Sequence, residues 1–228
     1  GLPSVAPGSF LDVLLAARKR QAHGQPLNDL QIIAQAQVFI LAGYETTANA
    51  LAFAVHAISS HPEVEQKLLA EIDAVLAGDG ADKPVDEELL AKMTYLDAVC
   101  NESMRVTPSV AATVRKLRED TTVGGYTLPA GTTCLLSLYA LQRSEQVWGR
   151  DVLQFRPERF LGEDGGPPVP CSFLPFGLGA RMCIGYKFAL MEMKVALVQL
   201  YRRLTFKLAP GQVPIQITFG LTASPKDG

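Results

Sequence analysis

Residues 28–60 contain no proline and predict one long helix. Asn28 is a good cap residue, and Gln31, three positions on, completes a capping box. At 1.5 Å per residue, about 33 residues make a rod about 50 Å long. Its middle, 38–55, is apolar on almost every side, so the helix is expected to run through a core. Gly43 sits in that middle, where glycine costs about 1 kcal/mol relative to alanine. A close approach to the backbone is expected there.

Pro62 starts the next helix, with Glu63 and Glu65 in its first turn to suit the dipole. That helix fades near Gly78. A loop, 78–84, leads to a short helix capped by Asp86. A further helix spans about 95–107 and must end before Pro108. From 121 to 138 the pattern turns to strands around Gly124-Gly125, with Pro129-Ala130-Gly131 before the last run. Residues 144–170 are rich in proline, glycine and charge and read as irregular. An amphipathic helix over 184–204 and a terminal strand pair from 205 complete the chain. The pattern shows no repeat and no low-complexity tract. The fold class is mainly α with a small β portion.

Composition sharpens this picture only a little. The 228 residues are 48% hydrophobic and 19% charged, enough apolar content for a packed core. A net charge of -2 gives no electrostatic case for nucleic acid. The cluster Arg18-Lys19-Arg20 reads as the solvated end of a helix. Cys100, Cys134, Cys171 and Cys183 form no Cys-x-x-Cys pair and are too sparse for a disulfide scaffold. A reducing compartment is therefore expected. No signal peptide is evident at Gly1, and the apolar run 32–42 is interrupted by Gln35 and Gln37, short of the roughly 18 residues that cross a membrane.

The most informative segment is Phe176-Gly177-Leu178-Gly179-Ala180-Arg181-Met182-Cys183-Ile184-Gly185. Its glycines permit a tight loop whose amides can face a sulfur, and the helix starting after Cys183 favours a thiolate. Gly185 leaves the helix start bare for a flat cofactor, and Arg181 is placed to meet a carboxylate. The alternative is a structural cysteine beside a glycine-rich turn. Glu102 and Arg105, at i,i+3, are either an internal pair or a solvated one. Ala42-Gly43-Tyr44-Glu45-Thr46-Thr47 places a hydroxyl beside an acid where glycine thins the helix. The alternative there is a threonine pair bonding back to carbonyls of its own helix. Arg115 is either a cofactor partner or an arginine at a strand edge.

The loop matches Phe-x-x-Gly-x-Arg-x-Cys-x-Gly throughout and resembles the signature of the cytochrome P450 superfamily. Three further elements carry the resemblance: Glu102-x-x-Arg105 before Pro108, Pro157-Glu158-Arg159-Phe160, and Ala42-Gly43-x-Glu45-Thr46-Thr47. It covers about 27–221, and over 42–51 and 176–194 it is closest to eukaryotic microsomal members of the drug-oxidising and thromboxane-synthase-like branch. The resemblance implies the C-terminal, haem-binding part of one P450 domain over 1–228, containing an oxygen-binding helix at about 28–60. It implies haem b (heme b) with iron ligated by Cys183, in the thiolate mode that is general to these proteins. Phe176, Gly177, Gly185, Ala42 and Gly43 would border the haem, and Arg115 and Arg181 would hold its propionates. Glu45 and Thr46 would relay protons. Glu102, Arg105 and Arg159 would form a structural triad.

The small, apolar stretches Ser109, Val110, Ala111, Ala112, Thr113 and Leu221, Thr222 would border a hydrophobic substrate. The implied reaction inserts one oxygen atom of dioxygen, with electrons from NADPH through a separate flavoprotein reductase, since no nucleotide-binding glycine motif is present. A haem-thiolate isomerase or dehydratase of a peroxide, and an inactive truncated remnant, are the rivals. The implied location is the cytosolic face of the endoplasmic reticulum membrane. Family members are much longer. The membrane anchor, the substrate-entry loops and a propionate-contacting helix are expected to lie N-terminal to the long helix, outside this chain, which is also expected to stop just short of a last strand. Neighbours of the long helix would come from that half, so the chain alone is expected to be poorly soluble and to hold haem weakly.

Overall fold

The computed structural model describes residues 7–18, 26–77, 84–162 and 166–226. The expected loop 78–84 and the cluster at 18–20 therefore lie mostly outside the described residues. The chain divides into two compact units, 1–45 and 46–228.

The first unit holds α1 (Phe10–Ala17) and the beginning of α2 (Asp29–Ser59). The capping box forms as the sequence predicts: Asn28 Oδ1 accepts from Gln31 N and Gln31 Oε1 accepts from Asn28 N, both at 2.9 Å. Phe10 meets Phe39, with ring centroids 4.0 Å apart. The expectation of a core around this half of α2 is corrected. Val38, Ile40, Leu41 and Tyr44 are exposed, Tyr44 by 77%. At Gly43 an added Cβ would meet no atom of the described residues within 4 Å, so the close approach expected there is not made by these residues. The physical reason is local: among the described residues of this unit, one two-turn helix faces a rod that is apolar all round.

The second unit holds the rest of α2, α3 (Pro62–Leu76), α4 (Glu87–Ala91), α5 (Thr94–Val106) and α8 (Tyr186–Tyr201). Between α5 and α8 run β1 (Ala112–Lys116), β2 (Thr121–Val123), β3 (Tyr126–Leu128), β4 (Thr133–Ser137), α6 (Leu138–Leu141) and α7 (Glu145–Trp148). After α8 come β5 (Ile217–Phe219) and β6 (Ala223–Pro225). The strands pair antiparallel as β1 with β4, β2 with β3 and β5 with β6. Strand β1, with Arg115 opposite Cys134, was not legible in the pattern, nor were α6 and α7. By length and apolar content α2 is sufficient to cross a membrane. Its C-terminal half nevertheless buries Phe53, Ala54 and Ile58 in the core of this unit.

Helix α5 organises that core. It packs against α3 and α8. Leu96, Val99, Leu68 and Leu197 are fully buried there, each contributing about 1.5–3 kcal/mol by removal from water. The N-terminus of α5 has no cap of its own. Glu71 of α3 supplies one, accepting from Tyr95 N at 2.7 Å and Leu96 N at 2.8 Å. A carboxylate satisfies orphan amides and suits the positive end of the helix dipole. Lys194 of α8 reaches Asp97 at 2.7 Å and ties the third helix to the same end.

Candidate haem site

The C-terminal half of α5 carries a buried polar cluster. Glu102 and Arg105 are both fully buried. Arg105 Nε donates to Glu102 Oε2 at 2.6 Å, and Nη2 donates to Oε1 at 2.8 Å. The remaining donors of Arg105 reach Gln142 O at 2.9 Å and Gln154 O at 3.3 Å, and its guanidinium lies 5.1 Å from the Trp148 ring. Glu102 Oε1 also accepts from Arg156 N at 2.9 Å and Arg159 Nε at 3.3 Å. Arg159 continues to Asp151, donating to its carbonyl at 2.6 Å and pairing with its carboxylate at 2.8 Å. That hydrogen-bonded guanidinium holds the Asp151 carboxyl below the usual carboxylate range against the opposing effect of burial. The network thus joins α5 to α6, α7 and the Pro157–Phe160 turn. Of the two readings left open for Glu102 and Arg105, the internal pair is the one that forms.

The cysteine loop is built by its own backbone. Gly177 and Gly179 take φ of 73° and 72°, a region that side chains with a Cβ rarely enter. Gly177 N donates to Leu174 O at 3.0 Å, Met182 N to Gly179 O at 3.0 Å, and Cys183 N to Phe176 O at 2.9 Å. The loop opens onto α8, whose N-cap is Gly185. Cys183 is exposed. Among the described residues no amide donates to Sγ, and those of Gly177, Met182 and Cys183 serve loop carbonyls. What remains of the expected stabilisation is the helix start two residues on.

Cys183 lines a cavity of ≈ 240 Å³ together with Phe176, Gly177 and Arg181 of the loop and Ala189, Leu190 and Met193 of α8. Thr46, Thr47 and Ala50 of α2 line it as well, with Met104, Pro108, Ser109, Val110, Thr113, Arg115, Leu138 and Pro175. The structure therefore brings together Cys183, Arg181, Arg115, Phe176, Gly177, Thr46, Ser109, Val110 and Thr113 from the residues singled out in the sequence. Gly185 is not in the lining; an added Cβ there would meet nothing within 4 Å. Ala111, Ala112, Leu221 and Thr222 are not in it either. Ala111 O accepts from Tyr139 N at 2.9 Å, Leu221 is exposed, and Thr222 Oγ1 accepts from Asn49 Nδ2 at 3.2 Å. Ala42, Gly43 and Glu45 belong to the first unit, on the turns of α2 that precede Thr46. Sequence reasoning missed the α8 residues, Met104 and Leu138, which carry no signal beyond apolarity. It also missed Gln142, a lone polar residue at the end of the apolar stretch 138–141.

These residues fit an iron porphyrin. Cys183 is the one Cys, His, Asp or Glu among the described lining residues, so a metal held there by the cavity would take one protein ligand and bring its others with it. The lining is mostly apolar, as a flat macrocycle requires. Arg181 has no partner among the described residues, and Arg115 donates only to Thr113 Oγ1 and Val114 O, each at 2.9 Å. Two guanidinium groups in one cavity suit a dianionic cofactor.

Comparison with known proteins agrees. The sequence model of the family described as Cytochrome P450 matches residues 4–227. Cytochrome P450 3A28 of Bos taurus is 38% identical over 86% of this chain and 38% of its own length. Cytochrome P450 3A6 of Oryctolagus cuniculus is 39% identical over 84% of this chain and 38% of its own. The crystal structure of a cytochrome P450, CYP102L1, superposes with a TM-score of 0.84 at 34% identity, over 95% of this chain and 48% of that one. This chain belongs to the cytochrome P450 family. It spans about two fifths of the length of the curated relatives named here.

Proposed function

We propose that this chain is the haem-binding part of a haem-thiolate monooxygenase that inserts one oxygen atom of dioxygen into a hydrophobic organic substrate. The observation that carries the proposal is a single exposed cysteine in a mostly apolar cavity that is also lined by two arginines and by Thr46. Cys183 would ligate the iron, while Arg181 and Arg115 would each hold a propionate by charge-assisted hydrogen bonds. When bound, haem supplies dioxygen binding and activation, and a thiolate ligand favours cleavage of the O–O bond. Thr46 lines the cavity, and its hydroxyl is the group we assign to donate and accept a proton there. Glu45, the preceding residue of α2, is the acid assigned to re-protonate it, a role resting on sequence adjacency. Ser109, Val110 and Thr113 give the substrate side small, mainly apolar surfaces. Electrons would come from NADPH through a separate flavoprotein reductase. By resemblance, the complete protein would work at the cytosolic face of the endoplasmic reticulum membrane.

The test is turnover of the full-length protein with reductase, NADPH and isotopically labelled dioxygen. One labelled oxygen atom in the product and one in water supports the proposal. Rearrangement of an organic peroxide without reductase, and no label incorporated from dioxygen, overturns it.

A further inference from the structure

The buried cluster of Glu102, Arg105 and Arg159 makes no hydrogen bond to the cysteine loop among the described residues. Its reach toward that loop passes through Gln142. This side chain is fully buried just past α6. Its Nε2 donates to Met104 O at 2.9 Å and to Arg105 O at 3.3 Å, the last-turn carbonyls of α5. Its Oε1 accepts from Leu174 N at 2.9 Å. Its own carbonyl receives Arg105 Nη1 at 2.9 Å. Leu174 O in turn accepts from Gly177 N at 3.0 Å, the first hydrogen bond of the cysteine loop.

We infer that Gln142 is the positioning residue that sets the cysteine loop against α5, and thereby holds Cys183 at the depth haem requires. An amide suits the task because it donates on one side and accepts on the other. A buried carbonyl or amide left without its partner is costly, so a loop that slipped would leave Gln142 Oε1 and Leu174 N unsatisfied. The loop's glycines leave it free to move, which makes a fixed point outside it necessary. Outer contacts of this kind typically alter ligand affinity about 10–100-fold.

The inference rests on the proposed haem ligation for its spectroscopic arm alone; its exchange arm does not need haem chemistry. The experiment uses the full-length holoprotein carrying Gln142→Met, which keeps size and removes both polar functions. Glu71→Ala serves as the contrast, loosening α5 at its far end and away from the cysteine loop. Hydrogen exchange by mass spectrometry is followed over 172–183 and over 94–106, with the reduced carbon monoxide spectrum alongside. Expected for Gln142→Met is exchange over 172–183 accelerated about 10–100-fold beyond that of 94–106, the size that follows from leaving one buried amide unsatisfied, with a smaller share of the thiolate-type band. Glu71→Ala, which uncaps α5, should accelerate 94–106 at least as much as 172–183. Equal acceleration of both segments in Gln142→Met, or none, overturns the inference. Should Gln142→Met yield no folded protein, Gln142→Glu decides: it keeps an acceptor for Leu174 N, so a slow loop supports the inference and a fast one overturns it. If the thiolate band is absent from the parent protein while the exchange pattern holds, the ligation is wrong and the positioning role stands.

Discussion

Removing Arg105 is the perturbation with the largest calculable consequence. Arg105→Met leaves the Glu102 carboxylate fully buried, with only Arg156 N at 2.9 Å and Arg159 Nε at 3.3 Å as partners. It also strips Gln142 O and Gln154 O of their donor. Breaking a buried pair from one side costs about 3–5 kcal/mol. A whole domain holds only about 5–15 kcal/mol. The variant is therefore expected to lose about a fifth or more of its stability. Denaturant melts of the full-length protein measure this as a lower midpoint at unchanged slope. The double variant Arg105→Met, Glu102→Met removes the stranded charge as well, and the cycle should give a coupling of about 0.5–3 kcal/mol. The exposed pair Lys92–Glu88, 2.9 Å apart on α4, is the contrast, since such pairs contribute about 0–1 kcal/mol. An Arg105→Met cost no larger than that of Lys92→Met, or a double variant whose cost is simply the sum of the two, would refute the reasoning.

Thr46→Ala should leave haem and substrate binding near normal while more reducing equivalents end as hydrogen peroxide, because the hydroxyl of a cavity-lining residue is lost; unchanged coupling of NADPH use to product would remove the proton role. Arg115→Ala and Arg181→Ala should each release haem faster to an apo-acceptor protein, by the about 1.5–3 kcal/mol of one hydrogen bond to a charged group. Retention equal to the parent in both would place the propionates elsewhere. Asp151, held below its usual pKa chiefly by the hydrogen bond from Arg159, contributes stability that is complete above the unfolded-chain value of about 3.9 and is lost as pH falls through the lower folded value. Asp151→Asn should therefore narrow the gap between neutral and acid stability, and an unchanged gap counts against that linkage.

Much of this architecture is legible from residue pattern. The capping box at Asn28 and Gln31, the proline start at Pro62, the Asp86 cap and the end of α5 before Pro108 are local, so local chemistry specifies them. Glu102 and Arg105 are readable as neighbours on one helix face, but their burial is decided by α6 and α7, short helices inside a stretch that reads as irregular. The Glu71 cap on α5 and the Gln142 bridge span long sequence separations, and nothing at either end announces its partner. The apolar middle of α2 predicts a core on all sides, and only its C-terminal half finds one. Periodicity reports what a helix can bury and leaves open what is present to bury it.

The central claim is that Cys183, and no other cysteine, ligates the haem iron. Cys100 is buried and its thiol is pushed up to about 12 by burial first and by Asp97 next, which disfavours a thiolate there. Cys134 lies within β4, and Cys171 is exposed but outside the cavity lining. The direct measurement is the reduced carbon monoxide spectrum of the full-length protein with each of the four cysteines changed to alanine in turn. The strongly red-shifted Soret band should vanish in Cys183→Ala and persist in Cys100→Ala, Cys134→Ala and Cys171→Ala. A red-shifted band that survives Cys183→Ala, or one abolished by Cys171→Ala alone, would contradict the account.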